Sequence, residues 1–135
     1  MILVDTGPLV ALGDTRDRWH QTSRRQLEKL APRGLLTCEA VIVEACFLLP
    51  HGTQRLRLQN ILDGFGVVVL QVSSAHRIEV FNWLAKYAEH QPDWADGCIA
   101  VLSAAHRRLR VWTYDREFTT TWRRPDGTAI PLAGR

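Results

Sequence analysis

The sequence predicts an α/β fold with three layers, α/β/α, in which a central, mostly parallel sheet lies between helices. Short apolar runs alternate with longer segments of helical spacing along the chain, as expected for strands that are joined by crossover helices. The first run, residues 2–4, is apolar at every position, which suits a parallel strand buried on both faces. The chain has 135 residues, and we expect residues 1–135 to form a single domain.

The first half of the chain supplies two strands and four helices in this interpretation. Gly7-Pro8 follows the first strand, and proline is tolerated in a first helical turn, so residues 8–12 are expected to form a short helix. Residues 17–30 are polar with a thin apolar stripe, which is typical of an exposed helix, and residues 35–37 are a second small strand. Apolar side chains then recur at helical spacing in residues 39–49 and again in residues 54–62.

The second half of the chain continues the alternation of predicted strands and helices. Residues 67–72 form a β-branched run typical of a strand. Ser73-Ser74 then precedes a helix that runs through residue 89, and either serine can cap it. The next helix is expected over residues 94–107 and the last strand over residues 111–114. The tail from about residue 122 is rich in proline and glycine, and we expect it to be a short edge strand or loose chain.

Several protein classes are disfavoured by the composition. No apolar run approaches the roughly 20 residues that span a bilayer, and the start of the chain has no basic segment typical of a secretory signal. The three cysteines, Cys38, Cys46 and Cys98, are odd in number and lack a Cys-x-x-Cys spacing, so we expect free thiols and not a zinc site or a disulfide framework. The sequence therefore favours a cytoplasmic protein that does not enter a membrane.

The chain is moderately basic. Lysine and arginine total 17 against 14 acidic residues, for a formal net charge of +3. All the basic residues except Lys29 and Lys86 are arginines, and arginine suits bidentate contacts with phosphate. This balance is compatible with a nucleic-acid partner, although a compositional bias of the genome explains the arginines equally well.

The most informative residues are five acids. Asp5 and Asp115 follow the first and last predicted strands, and ligands of such sheets bind at the carboxyl ends of the strands. Glu44 lies in an otherwise mostly apolar helix, while Asp93 and Asp96 are three residues apart at the start of another.

Each acid also has a structural explanation. An aspartate after a strand is often a turn or cap residue. Asp93 suits the N-cap of its helix with Asp96 three positions later, and Glu44 could pair with an arginine. Several carboxylates close together in apolar surroundings are nevertheless very costly unless a cation compensates them. Oxygen ligands without a histidine or cysteine cluster favour Mg²⁺ or Mn²⁺.

These segments together resemble the PIN-domain ribonucleases, and among them the VapC-type toxins of toxin–antitoxin pairs. The resemblance runs nearly from end to end and is specific in the order and spacing of its parts. The matching segments are Ile2-Leu3-Val4-Asp5-Thr6-Gly7-Pro8-Leu9-Val10-Ala11-Leu12, Glu44, Asp93-Trp94-Ala95-Asp96-Gly97-Cys98-Ile99-Ala100 and Thr113-Tyr114-Asp115-Arg116-Glu117-Phe118. Gly97 and Cys98 depart from the alanine and leucine that are more usual after the third acid, and Trp112 is bulky for its strand position.

The resemblance implies a PIN-like fold and a metal-dependent endoribonuclease. Its four catalytic and metal-binding acids are carried over to Asp5, Glu44, Asp96 and Asp115. Asp93 is a further metal or water ligand of lower weight, because some relatives carry an acid at this position and many do not. The implied cofactor is Mg²⁺ or Mn²⁺.

The resemblance and the basic residues also give expectations about partners. The implied partners are an RNA substrate, a small cognate antitoxin protein and a second copy of this chain. Nucleic-acid contacts are expected from Arg116, Thr113 and Thr6, with further basic candidates at Arg16, Arg18, Arg107, Arg108, Arg123 and Arg124. Exposed rings among Trp19, Trp94 and Trp122 are candidates for stacking on unpaired bases. The alternative interpretation is a non-catalytic PIN-like module that binds RNA or another protein.

Overall fold

Four short parallel strands form the centre of the molecule, whose computed structural model describes residues 1–106 and 108–134. The strands are β1 (Ile2–Val4), β2 (Leu35–Cys38), β3 (Val68–Leu70) and β4 (Arg110–Trp112), in the spatial order β3-β2-β1-β4. The predicted parallel sheet is thus confirmed. Since β1 and β4 are neighbours, the residues that follow them lie at the same edge of the sheet.

Seven α-helices connect and cover the strands in the described part of the chain. They are α1 (Thr6–Gly13), α2 (His20–Leu30), α3 (Glu39–Leu48), α4 (Gly52–Gly64), α5 (Ser74–Lys86), α6 (Trp94–Ala105) and α7 (Glu117–Thr120). Two 3₁₀ turns, Ala31–Arg33 and Ala88–His90, extend α2 and α5. No helix in the described residues is long and apolar enough to cross a membrane.

Several element boundaries differ from the sequence-based expectations, and the clearest differences lie at α2, α5 and β4. The exposed helix begins at His20 and not at residue 17, because the carboxylates of Asp14 and Asp17 accept backbone N–H groups two residues ahead and form turns. The fifth helix ends at Lys86 and passes into the 3₁₀ turn. The last strand ends at Trp112, so Thr113 and Tyr114 lie beyond it.

The tail forms a short pairing with the edge of the sheet. Leu132 makes a parallel bridge with Val111, and the Val111 N–H donates to the Pro131 carbonyl at 2.8 Å. The Ala133 N–H donates back to the Val111 carbonyl at 2.8 Å. This pairing covers the otherwise open edge of β4 and bears out the edge-strand interpretation of the tail.

The core is continuous around β1. All three residues of β1 are buried, and Trp112 is buried beside it with its indole N–H donating to the Gln26 side chain at 3.0 Å. That hydrogen bond explains how a bulky tryptophan is accommodated at the end of β4. The three cysteines are free thiols, as predicted, with Cys38 and Cys98 buried and Cys46 half-buried.

Gly97 sets the distance between α5 and α6. A Cβ atom at this position would lie 2.8 Å from a methyl group of Val80 and 3.3 Å from the Trp83 ring. Both neighbours are buried, so they have little room to move. Gly97, which stands where the resemblance predicts alanine, therefore permits close packing of these two helices.

We expect Gly97→Val to destabilise the protein by about 2 kcal/mol or more, because its side chain has to displace buried atoms of α5. Gly64→Ala is the matched control, since nothing lies within 4 Å of a Cβ at the end of α4, and it should be neutral or slightly stabilising. Chemical denaturation of both variants measures the difference. A Gly97→Val variant as stable as the parent would show that the helices separate at no cost.

Candidate active site

Six acidic side chains line one open cavity of about 360 Å³ at the carboxyl edge of the sheet. They are Asp5, Asp17, Glu44, Asp93, Asp96 and Asp115. The structure therefore brings together all five acids that the sequence singled out, from segments that are far apart in the chain. Asp17 is the sixth, and nothing in its local sequence distinguished it from an ordinary turn residue.

Asp5 occupies the deepest position. It follows β1, and its N–H donates to the Trp112 carbonyl at 2.9 Å, which ties it to the end of β4. Its side chain precedes α1 but makes no capping hydrogen bond. Instead, the Thr113 hydroxyl donates to Asp5 Oδ2 at 2.7 Å. Asp5 is only 5% exposed, so it is a buried carboxylate held by a hydroxyl and not a helix cap.

Glu44 reaches the cavity from α3. The Thr6 hydroxyl donates to Glu44 Oε2 at 2.8 Å. Thr6 and Thr113 were expected to contact nucleic acid, but in the structure their hydroxyl groups orient Glu44 and Asp5. Positioning of these two carboxylates is therefore the role that the geometry favours for both threonines.

Asp93 and Asp96 form a reciprocal cap at the start of α6. The Asp96 N–H donates to Asp93 Oδ1 at 2.8 Å, and the Asp93 N–H donates to Asp96 Oδ2 at 3.1 Å. The capping interpretation of this pair is thus correct. Both side chains also line the acidic cavity, so the cap fixes two carboxylates at its wall.

Asp115 lies at the exposed rim. Its N–H donates to the Thr113 hydroxyl at 3.0 Å, and its Oδ1 accepts the Glu117 N–H at 2.9 Å at the start of α7. Thr113 therefore links this rim residue to the buried Asp5.

The carboxylates raise one another's affinity for protons. Burial, opposed by the Thr113 hydroxyl, raises the pKa of Asp5 to about 6. Burial together with the charge of Asp93 raises the pKa of Glu44 to about 7 and that of Asp96 to about 8. Among the described residues, the neighbours with the largest effects on these three pKa values are carboxylates, hydroxyls and backbone amides, and none of these is a cation. These neighbours therefore supply no positive charge that would favour the ionised form of the cluster.

The donor set fits a divalent cation in chemistry, although the side chains are not arranged around one. Each of the five predicted acids has one oxygen that accepts from a hydroxyl or a backbone N–H. The Asp93 carboxyl is also within hydrogen-bonding reach of the Glu44 and Asp96 carboxyls, so these oxygens lie where a cation could replace the contacts between acids. Within the described residues, however, no three acidic, histidine or cysteine side chains stand close enough to share a metal ion. A shared ion therefore requires at least one of these carboxylates to change its rotamer.

The basic and aromatic residues that were expected to contact nucleic acid fall into two groups, those beside the acidic cavity and those elsewhere. Arg18, Trp19 and Arg116 surround a small cavity that adjoins the acidic one, and Trp19 also lines the acidic cavity. The other tryptophans have structural contacts, since Trp122 is buried and Trp94 packs on Phe81.

The remaining arginine candidates do not line the acidic cavity. Arg124 donates to the Ser103 carbonyl at 2.9 Å, Arg123 is at 3.4 Å from the Gly127 carbonyl, and Arg16 lines a separate cavity. Arg108 is exposed near the start of β4. Arg107 lies outside the described residues.

Comparison with known proteins gives a family and a fold. Residues 2–121 match the family model of the PIN domain. The crystal structure of the Mycobacterium tuberculosis toxin VapC20, described as cleaving the sarcin–ricin loop, superposes with a TM-score of 0.74 at 21% sequence identity. The alignment covers 89% of this chain and 94% of that one. No curated protein is similar enough in sequence to count as a match.

We expect Asp96→Asn to raise the melting temperature of the metal-free protein by about 3–6 °C at pH 8. The folded protein binds the Asp96 proton up to about pH 8 because the pKa is raised from 3.8 to about 8, so the wild type loses stability as the pH rises between these values. Asparagine keeps the cap acceptor and removes the charge. Calorimetric melts in EDTA at pH 5 and pH 8 measure the effect, which should be smaller at pH 5.

The control for this change is Glu79→Gln, which removes an exposed charge from α5 and should leave the melting temperature nearly unchanged. A lower melting temperature of Asp96→Asn at pH 8 would contradict the repulsion among the carboxylates.

Proposed function

Since the chain belongs to the PIN domain family, we propose that it is a metal-dependent endoribonuclease that hydrolyses RNA phosphodiester bonds. The observation that supports this most is the convergence of Asp5, Glu44, Asp96 and Asp115 on one open cavity. A cluster of hard oxygen ligands without a compensating cation suits Mg²⁺ or Mn²⁺. The same cluster has no evident purpose in a protein that binds only apolar or anionic ligands.

The proposed metal ligands are Asp5 and Asp96, with Glu44, Asp115 and Asp93 coordinating directly or through water. A divalent ion held there supplies positive charge for the transition state of phosphodiester cleavage and lowers the pKa of bound water.

The chain's own residues provide orientation and proton transfer in this proposal. The Thr113 and Thr6 hydroxyls hold one oxygen each of Asp5 and Glu44, so that the opposite oxygens face the reaction. Glu44 orients the attacking water and accepts its proton at Oε1, the oxygen that Thr6 leaves free. Asp115, at the exposed rim, is placed to orient water on the solvent side.

We further propose that the chain is the toxin of a type II toxin–antitoxin pair, acting in the cytoplasm as a homodimer. The fold likeness to VapC20, which is described as cleaving the sarcin–ricin loop, supports this assignment. A small antitoxin that covers the acidic cavity would be its inhibitor. The whole chain, residues 1–135, is proposed to be one nuclease domain.

One observation keeps a second function open. Within the described residues no three ligating side chains share a metal position, which is also what a non-catalytic PIN module that binds RNA or protein would show. The two functions differ in metal affinity, because an inert module has no need to bind a cation at these acids.

Asp5→Asn and Asp96→Asn should each reduce metal-dependent RNA cleavage by at least about 100-fold, because each removes a charged ligand and preserves the side-chain shape. Cleavage of total RNA and of an RNA hairpin that carries the sarcin–ricin loop is measured with Mg²⁺, with Mn²⁺ and with EDTA. EDTA should abolish activity and added metal should restore it. Glu79→Gln is the charge-matched control. Unchanged cleavage by either aspartate variant would contradict the assignment.

Isothermal titration calorimetry with Mg²⁺ and Mn²⁺ separates the nuclease from the inert module. The wild type should bind the ions with release of protons at pH 7, because Glu44 and Asp96 have raised pKa values and their carboxyls must ionise to bind. Asp96→Asn should bind more weakly and release fewer protons. Absence of binding by the wild type would favour the inert module.

A further inference from the structure

A surface of basic and aromatic side chains lies next to the acidic cavity. Its residues are not needed to position the carboxylates or to form the sheet. Arg18, Trp19 and Arg116 line a cavity of about 390 Å³. Trp19 also lines the acidic cavity, so both spaces lie beside its side chain. Arg18 and Arg116 are both exposed to solvent. Positive charge at this position lies immediately beside the negative site.

Trp19 is rigidly held although it is substantially exposed. Its ring stacks on Tyr114 with centroids 5.4 Å apart and an angle of 25° between the planes. The Tyr114 hydroxyl is hydrogen-bonded to Ser23 and to Gln26 on α2. The backbone N–H of Trp19 donates to the Asp17 carboxylate at 2.8 Å, which fixes the loop before α2. The indole is 41% exposed, and its ring is held by the stacking contact with Tyr114.

Arg18 is held at the same ring. Its guanidinium carbon is 5.0 Å from the centroid of Trp19, a distance typical of a cation–π contact. Arg116 approaches from the segment that follows Asp115 and completes the cavity. The side chains of Arg18, Trp19 and Arg116 therefore line one space, and Arg116 directly follows Asp115 in the sequence.

We propose that Arg18, Trp19 and Arg116 form a subsite for one unpaired nucleotide beside the bond to be cut. The base of this nucleotide stacks on the Trp19 ring in place of the Arg18 guanidinium, while Tyr114 stays stacked on the indole. Arg18 moves from the ring to the phosphate, which it binds together with Arg116. The proposal rests on the proposed ribonuclease function and deepens it by naming the residues that hold the substrate beside the acids. The bases of a duplex are already stacked in pairs and do not present a free face to an indole.

The charge distribution gives this subsite a physical purpose. Six carboxylates around the acidic cavity repel a phosphate backbone, so the strand needs positive charge close by to approach them. Arginine also binds phosphate with two parallel hydrogen bonds, which fixes orientation as well as charge. Stacking adds affinity that depends little on the identity of the base.

The binding test uses the Asp96→Asn background, in which cleavage should be at least about 100-fold slower, with Mg²⁺ present. The probes are a fluorescein-labelled oligoadenylate of about 12 nucleotides and a chain of equal length made of tetrahydrofuran spacers, which keeps the phosphates and lacks the bases. Fluorescence anisotropy at several salt concentrations gives the dissociation constants. An RNA duplex of equal length serves as the competitor.

Trp19→Ala should weaken oligoadenylate binding roughly tenfold and leave binding of the spacer chain unchanged, because only the first probe offers a base to the indole. Trp19→Phe should keep most of the affinity and shows that loss of folding is not the cause. Arg18→Gln and Arg116→Gln should weaken both probes alike and each lower the slope of log affinity against log salt by about 1. Phe81→Ala and Arg77→Gln, exposed residues of α5, are the matched controls.

Four results would overturn the subsite. Two concern the probes: Trp19→Ala weakens both probes equally, or the parent binds both with equal affinity. The other two are that the duplex competes as strongly as the single strand, or that oligoadenylate does not bind at low salt. Failure of the nuclease function is distinguishable, because it appears as absent cleavage by the wild type whether or not Trp19-dependent binding is found.

Discussion

Mutual repulsion of carboxylates at the carboxyl edge of the sheet is the constraint on which the site depends. Asp5 is buried, and Asp93 acts on both Glu44 and Asp96, so each carboxylate makes ionisation of the next one less favourable. A fold that served stability alone would separate these groups or pair them with guanidinium groups. The chain instead holds them with hydroxyls and backbone amides, which orient an acid without neutralising it. The repulsion that remains lowers the stability of the fold, which is what a site adapted to bind positive charge would show.

The topology explains how distant residues reach this edge. β1 lies between β2 and β4, and the Asp5 N–H donates to the end of β4. Thr113 then bridges Asp5 and the backbone of Asp115 with its single hydroxyl. Because β1 and β4 are neighbours, the Thr113 hydroxyl can bind both residues, and it thereby keeps Asp5 and Asp115 close together.

Much of this arrangement could be predicted from the sequence because it depends on patterns that burial imposes. The all-apolar run at residues 2–4 predicted a central parallel strand, and the acids that follow strands predicted the edge at which they meet. The roles of Thr6 and Thr113 could not be predicted, because a hydroxyl carries no sign of the partner that tertiary packing gives it. Asp17 was missed for the same reason: its turn is local, and its place at the cavity is set by how α2 packs. The end of β4 was predicted two residues too late. Strand-forming residues continue to Tyr114 in the sequence, whereas the hydrogen-bonded strand ends at Trp112.

Gly97 connects the packing of the helices to the chemistry of the edge. It follows Asp96 in the first turns of α6, and its missing side chain lets α5 approach through Val80 and Trp83. Asp93 and Asp96 are fixed to each other by their reciprocal cap, so they move as a unit with the start of this helix. The position of α6 against α5 therefore determines where two of the carboxylates stand relative to Asp5 and Glu44. Gly97, one residue beyond the candidate ligand Asp96, therefore affects the site through the placement of α6 and not through contact with substrate.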